Sequence, residues 1–249
     1  MSKTRDIRLP APYLRRLWLD AATELDRTVY PFNLPLFGPD FELTFEKPIT
    51  IIVGENGVGK STLIEAIAAL AGYDDAGGGK GYRPVDHERA REQNGSVLAS
   101  VLRAAWKPKI TNGWFFRAET FFSVARYLDE VGSPYADFLS HSHGEGFMRF
   151  FVERLLRQGI YFFDEPESAL SPSRQVEFLK ILQRIQDAGN AQIILATHSP
   201  LLMACPGADL WEMTPKSIRP TTLKQTPHFR LLQEFFYDPK SFLELALID

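Results

Sequence analysis

Three observations predict an α/β fold: a mostly parallel sheet, with an antiparallel β layer near the N-terminus and a small helical lobe. Ile49-Thr-Ile-Ile-Val53 is a β-branched run that stops at Gly54 and gives way to a helical pattern. Ile160-Tyr-Phe-Phe163 and Ile193-Ile-Leu-Ala196 are short apolar runs typical of buried strands, and a helical stretch separates them. Strands that alternate with helices imply a parallel core, whose ligands sit beyond the carboxyl ends of the strands.

Taken in order, Tyr13 to Leu19 and Phe41 to Glu46 read as strands of the antiparallel layer. Pro31, Pro35 and Pro39 break the stretch between them, which suits neither a helix nor a central strand. After Gly54, a helix carries Leu63, Ile64, Ile67, Leu70 and Ala71 on one face. Asp74 to Tyr82, with Gly77-Gly78-Gly79 and Gly81, is expected to be a mobile loop. A helix is expected from Arg89 to Arg103. Trp114-Phe-Phe116 and Phe121-Phe122 are read as core aromatics around Arg117-Ala-Glu119. A further helix starts at Gly146, with Phe147, Phe150, Phe151 and Leu155 at helical spacing, and Gly159 stops it. Ser171 and Pro172 fit the N-cap and first position of a helix that carries Val176, Leu179, Leu182 and Ile185 and ends near Gly189. Asp209 to Thr214 is a candidate strand, and Thr226-Pro227 caps a helix whose Leu231, Leu232 and Phe235 are spaced to pack on the body. The expected organisation is a single domain over 1–249, with the helical lobe inserted at about 112–158 and a helical tail at about 226–249.

Composition narrows the class. With 249 residues, 45% hydrophobic and 24% charged, the chain has the balance of a globular protein, which excludes a disordered tail, a collagen-like repeat or a coiled-coil rod. Its single cysteine, Cys205, makes no intramolecular disulfide, and no Cys/His cluster suggests zinc, so a reducing, cytoplasmic compartment is expected. Arg5, Asp6 and Arg8 stand where a signal peptide needs an apolar core, and no stretch approaches the ~20 apolar residues of a membrane span. A net charge of −3 gives no global attraction to nucleic acid. From Lys80 to Lys109, however, Lys80, Arg83, Arg89, Arg91, Arg103, Lys107 and Lys109 outnumber the acids. These charges form either a solvated face or a local phosphate-contacting patch.

The chemistry is concentrated in two places. Gly54-Glu-Asn56-Gly57-Val58-Gly59-Lys60-Ser61 matches the phosphate-binding pattern G-x-x-x-x-G-K-[ST] between a strand and a helix. Backbone N–H groups of this loop and of the helix start at Ser61 and Thr62 would cradle phosphates. Lys60 would reach the β and γ phosphates, and the Ser61 hydroxyl would ligate magnesium. The second cluster begins with Asp164, at the end of an apolar strand, where a carboxylate can hold the same metal. Glu165, beside it, is placed to orient and deprotonate an attacking water. His198 follows the Ile193 to Ala196 strand at the same edge of the sheet.

In order and spacing, these motifs resemble the ABC-type ATPases. The resemblance runs from about residue 40 to 213. It implies ATP and Mg2+ as cofactors, with Asp164-Glu165-Pro166 as the acidic motif, Ser168 to Ser171 as the D-loop and His198 as the switch histidine. Ser142-His-Gly144-Glu145 falls where that family carries its signature, although His143 and Glu145 depart from the family pattern. The resemblance further implies that Ser142, Gly144 and Glu145 contact the nucleotide of a second chain, so that ATP is sandwiched in a homodimer. By order, Glu119 takes the Q-loop position, where it would serve the metal, and Tyr30 and Phe32 are candidates for stacking on adenine. The Gly-Glu-Asn-Gly wording of the loop and the absence of coiled-coil arms are similar to a stand-alone ATPase of the RecF, SMC and OLD-like AAA group. Such a protein would act on a DNA or protein effector without inserting into a membrane. The alternative is the ATP-binding subunit of an ABC transporter.

Overall fold

The computed structural model describes residues 9–20, 22–74, 77–80, 94–110, 112–117, 148, 151–152 and 154–248. The antiparallel layer has three strands in the order β2-β1-β4, with β1 at Leu14–Leu19, β2 at Glu42–Thr44 and β4 at Leu102–Trp106. Sequence reasoning missed β4. The helix expected to run to Arg103 is α2, Asn94–Val101, and the chain then turns directly into the strand. Leu102 and Ala104 join the core beneath β1, and pairing with β1 overrides the weak strand preference of Ala104-Ala105.

The main sheet has six strands in the order β5-β6-β7-β3-β8-β9. Here β3 is Ile49–Val53, β5 Gly113–Arg117, β6 Gly159–Asp164, β7 Ala191–Ala196, β8 Asp209–Met213 and β9 Ile218–Pro220. All neighbours pair in parallel except β8 and β9. Every residue of β3, β6 and β7 is buried, which explains why they read as continuous apolar runs without alternation. Their side chains nevertheless sort by pleat. Ile52, Phe115, Phe162 and Ile194 enter one core with α1 (Lys60–Ala71) and the antiparallel layer. Ile51, Phe116, Phe163 and Leu195 enter a second core under α3 (Pro172–Ala188). Phe163 stacks on Phe116 at 4.6 Å between centroids and meets Phe151 and Phe178 at 5.3 and 5.2 Å.

A fully buried Gln192 joins the two sheets. Its Oε1 accepts from the backbone N–H groups of Tyr13 and Leu14, both at 2.8 Å, and its Nε2 donates to the Leu14 carbonyl at 3.0 Å. The loop expected to be mobile after Asp74 is anchored where it is described: Gly78 forms an antiparallel bridge to Phe115. In α3, Ser171 caps the N-terminus, Pro172 opens the helix and Gly189 closes it at φ 59°, as its sequence predicts. Beyond β7 come α4 (Pro200–Met203), then α5 (Pro227–Tyr237) and α6 (Pro239–Ala246). Of the three residues expected to pack α5 onto the body, Leu231 and Leu232 are 55% and 38% exposed and Phe235 is half-buried. Among the described residues, no helix is long and apolar enough to cross a membrane.

Candidate functional site

Strand register assembles the site. Arg117, Asp164, Ala196 and Ile52 occupy one row of paired positions across β5, β6, β7 and β3. At ~4.8 Å per strand, these four strand ends lie within about 15 Å of one another. From the end of β3 runs the loop from Gly54 to Gly59. A Cβ on Gly54 would lie 2.2 Å from the Met213 carbonyl oxygen, so only glycine lets the chain turn past β8. Gly59 ends the loop in the left-handed region at φ 96° and delivers Lys60 as the first residue of α1.

Lys60 is buried and curls back over the loop, its Nζ donating to the carbonyls of Gly54 and Glu55 at 2.9 Å each. Burial pulls the pKa of its ammonium below the usual lysine value, while the charges of Glu165, Asp164, Glu167 and Glu55 oppose that shift. Asn56 and Gly57 form the exposed tip of the loop, whereas the Val58 side chain packs into the core, leaving Val58 only its backbone to offer a ligand. Thr62 shares a 2.6 Å hydrogen bond with the Tyr30 hydroxyl, which ties the N-terminal segment to the start of α1.

Ser61 Oγ donates to Asp164 Oδ1 at 3.0 Å. Asp164 Oδ2 faces Arg117 Nε at 3.8 Å, and Arg117 also pairs with Glu65 of α1 at 2.8 Å. A hydroxyl and a carboxylate oxygen side by side suit Mg2+, which keeps several waters and takes few protein ligands. No group of three or more His, Cys, Asp or Glu that could cage a metal exists among the described residues. This donor set fits a magnesium shared with phosphates.

Glu165 is the one described non-glycine residue with a positive φ, at 48°, a strain of order 1–3 kcal/mol. Its backbone N–H donates to Ala196 O at 3.0 Å, which holds the turn against β7. The side chain is 39% exposed, and its Oε1 lies 3.4 Å from His198 Nε2. His198 is fixed from two further sides. Its backbone N–H donates to the Glu167 carboxylate, and its Nδ1 sits 3.0 Å from Nε2 of His228, in the first turn of α5. Burial, then the Lys60 charge, pull the pKa of the His198 imidazole below the usual histidine value, and burial raises that of the Glu167 carboxyl.

The structure therefore brings Lys60, Ser61, Asp164, Glu165 and His198 to one edge of the sheet. Glu119, Ser142, His143, Gly144 and Glu145 lie outside the described residues. Phe32 belongs to the core and is 8% exposed, so it is not free to stack on a base. Sequence reasoning missed Arg117, Glu65, Glu167 and His228. Arg117 has a legible signal, since a charge ending an aromatic strand at the level of Asp164 faces the site. His228 has only its place behind the Thr226-Pro227 cap.

A family model described as an AAA domain matches residues 33–213. The chain belongs to the AAA domain family. That match covers both the phosphate loop and the acidic pair, and the motif order is that of a P-loop ATPase of the ABC type. Among similar proteins, a probable amino-acid ABC transporter ATP-binding protein of Sinorhizobium fredii is 26% identical over 189 residues, 64% of this chain and 72% of its own. An energy-coupling factor transporter ATP-binding protein of Spiroplasma kunkelii is 31% identical over 174 residues, 61% of this chain. The chain spans little more than half the length of the second, at 56%. A solved SMC head domain from Thermotoga maritima aligns over 84% of this chain and 99% of its own, with a TM-score of 0.47 and 14% identity.

Three of the four described cations of the basic stretch in this AAA domain have local partners, while Lys107 is exposed. Arg103 pairs with Asp20 at 2.7 Å, Lys109 donates to the Leu70 carbonyl at 2.8 Å, and Lys80 lies over the Tyr73 ring. Arg83, Arg89 and Arg91 lie outside the described residues.

Proposed function

We propose that this AAA domain binds ATP with Mg2+ and hydrolyses it, working as an ATP-sandwiched homodimer whose closing and opening drives a DNA-related, defence or repair-type partner. The observation that carries the reading is the Ser61 to Asp164 hydrogen bond at 3.0 Å, with Glu165 next in the chain and Lys60 buried beside it. Lys60 would exchange its two loop carbonyls for β and γ phosphate oxygens. Ser61 and Asp164 would hold the Mg2+, which supplies charge neutralisation on the phosphates when bound.

Glu165 would accept the proton of the attacking water. His198, held at its flank, would donate to the γ phosphate. The N-terminal N–H groups of α1 face the phosphates from one side only. The resemblance assigns the other side to Ser142, Gly144 and Glu145 of a second chain, with Glu119 near the metal. We take residues 1–249 as one domain with the helical lobe inserted.

The names of the curated relatives favour a second reading, the ATP-binding subunit of a transporter. Light scattering of Glu165→Gln with Mg2+ and ATP tests the dimer, which should form with ATP and come apart with ADP. A monomer in both states would refute the sandwich. A membrane protein that copurifies stoichiometrically would decide for the transporter.

A further inference from the structure

We infer that His228 is a positioning residue for hydrolysis, which fixes His198 in the tautomer that carries its proton on Nε2, facing Glu165 and the phosphate side. The inference rests on the ATPase reading above for its catalytic consequence, but not for its chemistry.

The two rings meet Nδ1 to Nε2 at 3.0 Å, with centroids 5.1 Å apart. One nitrogen of that pair must donate and the other accept. Suppose first that His198 donates from Nδ1. Its Nε2 then presents a bare lone pair to the Glu165 carboxylate 3.4 Å away. The proton of His228 must then sit on Nδ1, which is buried and has no hydrogen-bond partner among the described residues. That arrangement sets one lone pair against an anion and strands one buried N–H.

Now let His228 donate from Nε2. His198 Nδ1 accepts, so the proton of His198 moves to Nε2 and points at Glu165, where a donor is favourable. The acceptor nitrogen of His228 is left unpaired, and the His198 Nε2 proton, which makes no hydrogen bond among the described residues, gains the attraction of the carboxylate 3.4 Å away. Two separate features of the site thus select the same tautomer. It is also the one a γ phosphate needs, since a phosphate oxygen accepts and never donates when ionised.

His228 is held for this task. Thr226, fully buried, caps α5 by accepting from Phe229 N at 3.3 Å and anchors itself by donating to the Leu223 carbonyl at 2.8 Å. Pro227 fixes the first turn, and His228 follows directly. On the other side of the pair, the His198 backbone N–H donates to the Glu167 carboxylate, so the backbone that carries each ring is held.

The test uses the full-length protein. His228→Phe keeps the ring but removes the donor, whereas His228→Gln returns an N–H near the same place. We expect His228→Phe to lower kcat for ATP roughly tenfold, the value of one hydrogen bond, with KM unchanged. His228→Gln should recover most of that loss. In a His198→Ala background, His228→Phe should cost nothing further. Long-range proton–nitrogen NMR, with His198 assigned by its absence in His198→Ala, should show His198 protonated on Nε2 in the parent and mixed in His228→Phe.

An Nδ1-protonated His198 in the parent would overturn the inference, as would an undiminished effect of His228→Phe in the His198→Ala background. Should His228→Phe fail to fold, the parent spectrum and His228→Gln decide. Absence of ATP turnover in the parent would sink the ATPase reading, and the spectrum would still settle the tautomer.

Discussion

The carboxyl edge of the parallel sheet and the C-terminal hairpin α5–α6 both reach the candidate site, but by different means. At the sheet edge, Asp164 ends a strand whose every residue is buried, and two parallel neighbours hold its register. The hairpin reaches the site through the hydrogen bond of His228 to His198, while Leu231, Phe236, Tyr237 and Leu245 stay exposed. The geometry of Asp164 and of the groups beside it is thus over-determined by packing. The geometry of the histidine pair depends on a helix cap and one ring-to-ring hydrogen bond, which makes it the adjustable member of the site.

Deleting one aromatic ring in each region gives the sharpest contrast. Phe163→Ala removes the centre of the aromatic stack beneath Asp164, with a loss of about 3–5 kcal/mol in urea unfolding. Phe236→Ala, on a residue 71% exposed, should stay within about 0.5 kcal/mol. Comparable losses at the two positions would mean that the hairpin packs against the body and that the contrast is wrong.

Gln192→Leu comes next. It strands the backbone N–H groups of Tyr13 and Leu14 in the core, at about 1–3 kcal/mol for each unsatisfied group, partly offset by the added apolar side chain. Equilibrium unfolding should show a loss of about 2–4 kcal/mol. A neutral result would show that the antiparallel layer docks on the sheet through apolar contact alone.

A smaller effect is expected from pH. The pKa of His198 lies below its ordinary 6.5 in the folded chain, so as pH falls past 6.5 the unfolded chain takes up that proton first. The stability His198 contributes is therefore present above pH 6.5 and is lost as pH falls toward the folded pKa. Denaturation midpoints of His198→Gln should fall less steeply than those of the parent over that window. Parallel curves would mean that burial and Lys60 do not bear on the ring.

Much of the sheet edge was legible in the sequence because its constraints are local. The glycine loop, the acidic pair and the Ser171 to Gly189 helix each follow from turn, cap and strand chemistry in a few adjacent residues. The rest depends on long-range pairing. The helix expected from Arg89 runs on over Leu102 and Arg103 and leaves Ala104 to Trp106 unassigned, because Leu102 to Trp106 carries no alternation of its own, and pairing with β1 makes it a strand. Gln192 joins two sheets across 179 residues, and a polar residue in an apolar run carries no mark of that. His228 stands alone in an amphipathic helix, whose apolar spacing wrongly implied burial. Arg117 was visible as the end of an aromatic strand, but its pairing with Glu65 and Asp164 emerges only from the register of β5 on β6.

The central claim is that Glu165, strained at the end of β6 and flanked by His198, is the general base of an ATPase whose nucleotide is held by other groups. The direct measurement is turnover and ATP affinity, with Mg2+, for the parent and Glu165→Gln. The account predicts unchanged affinity and a kcat lower by roughly 10²–10⁴. A Glu165→Gln protein that hydrolyses ATP at the parent rate would contradict it.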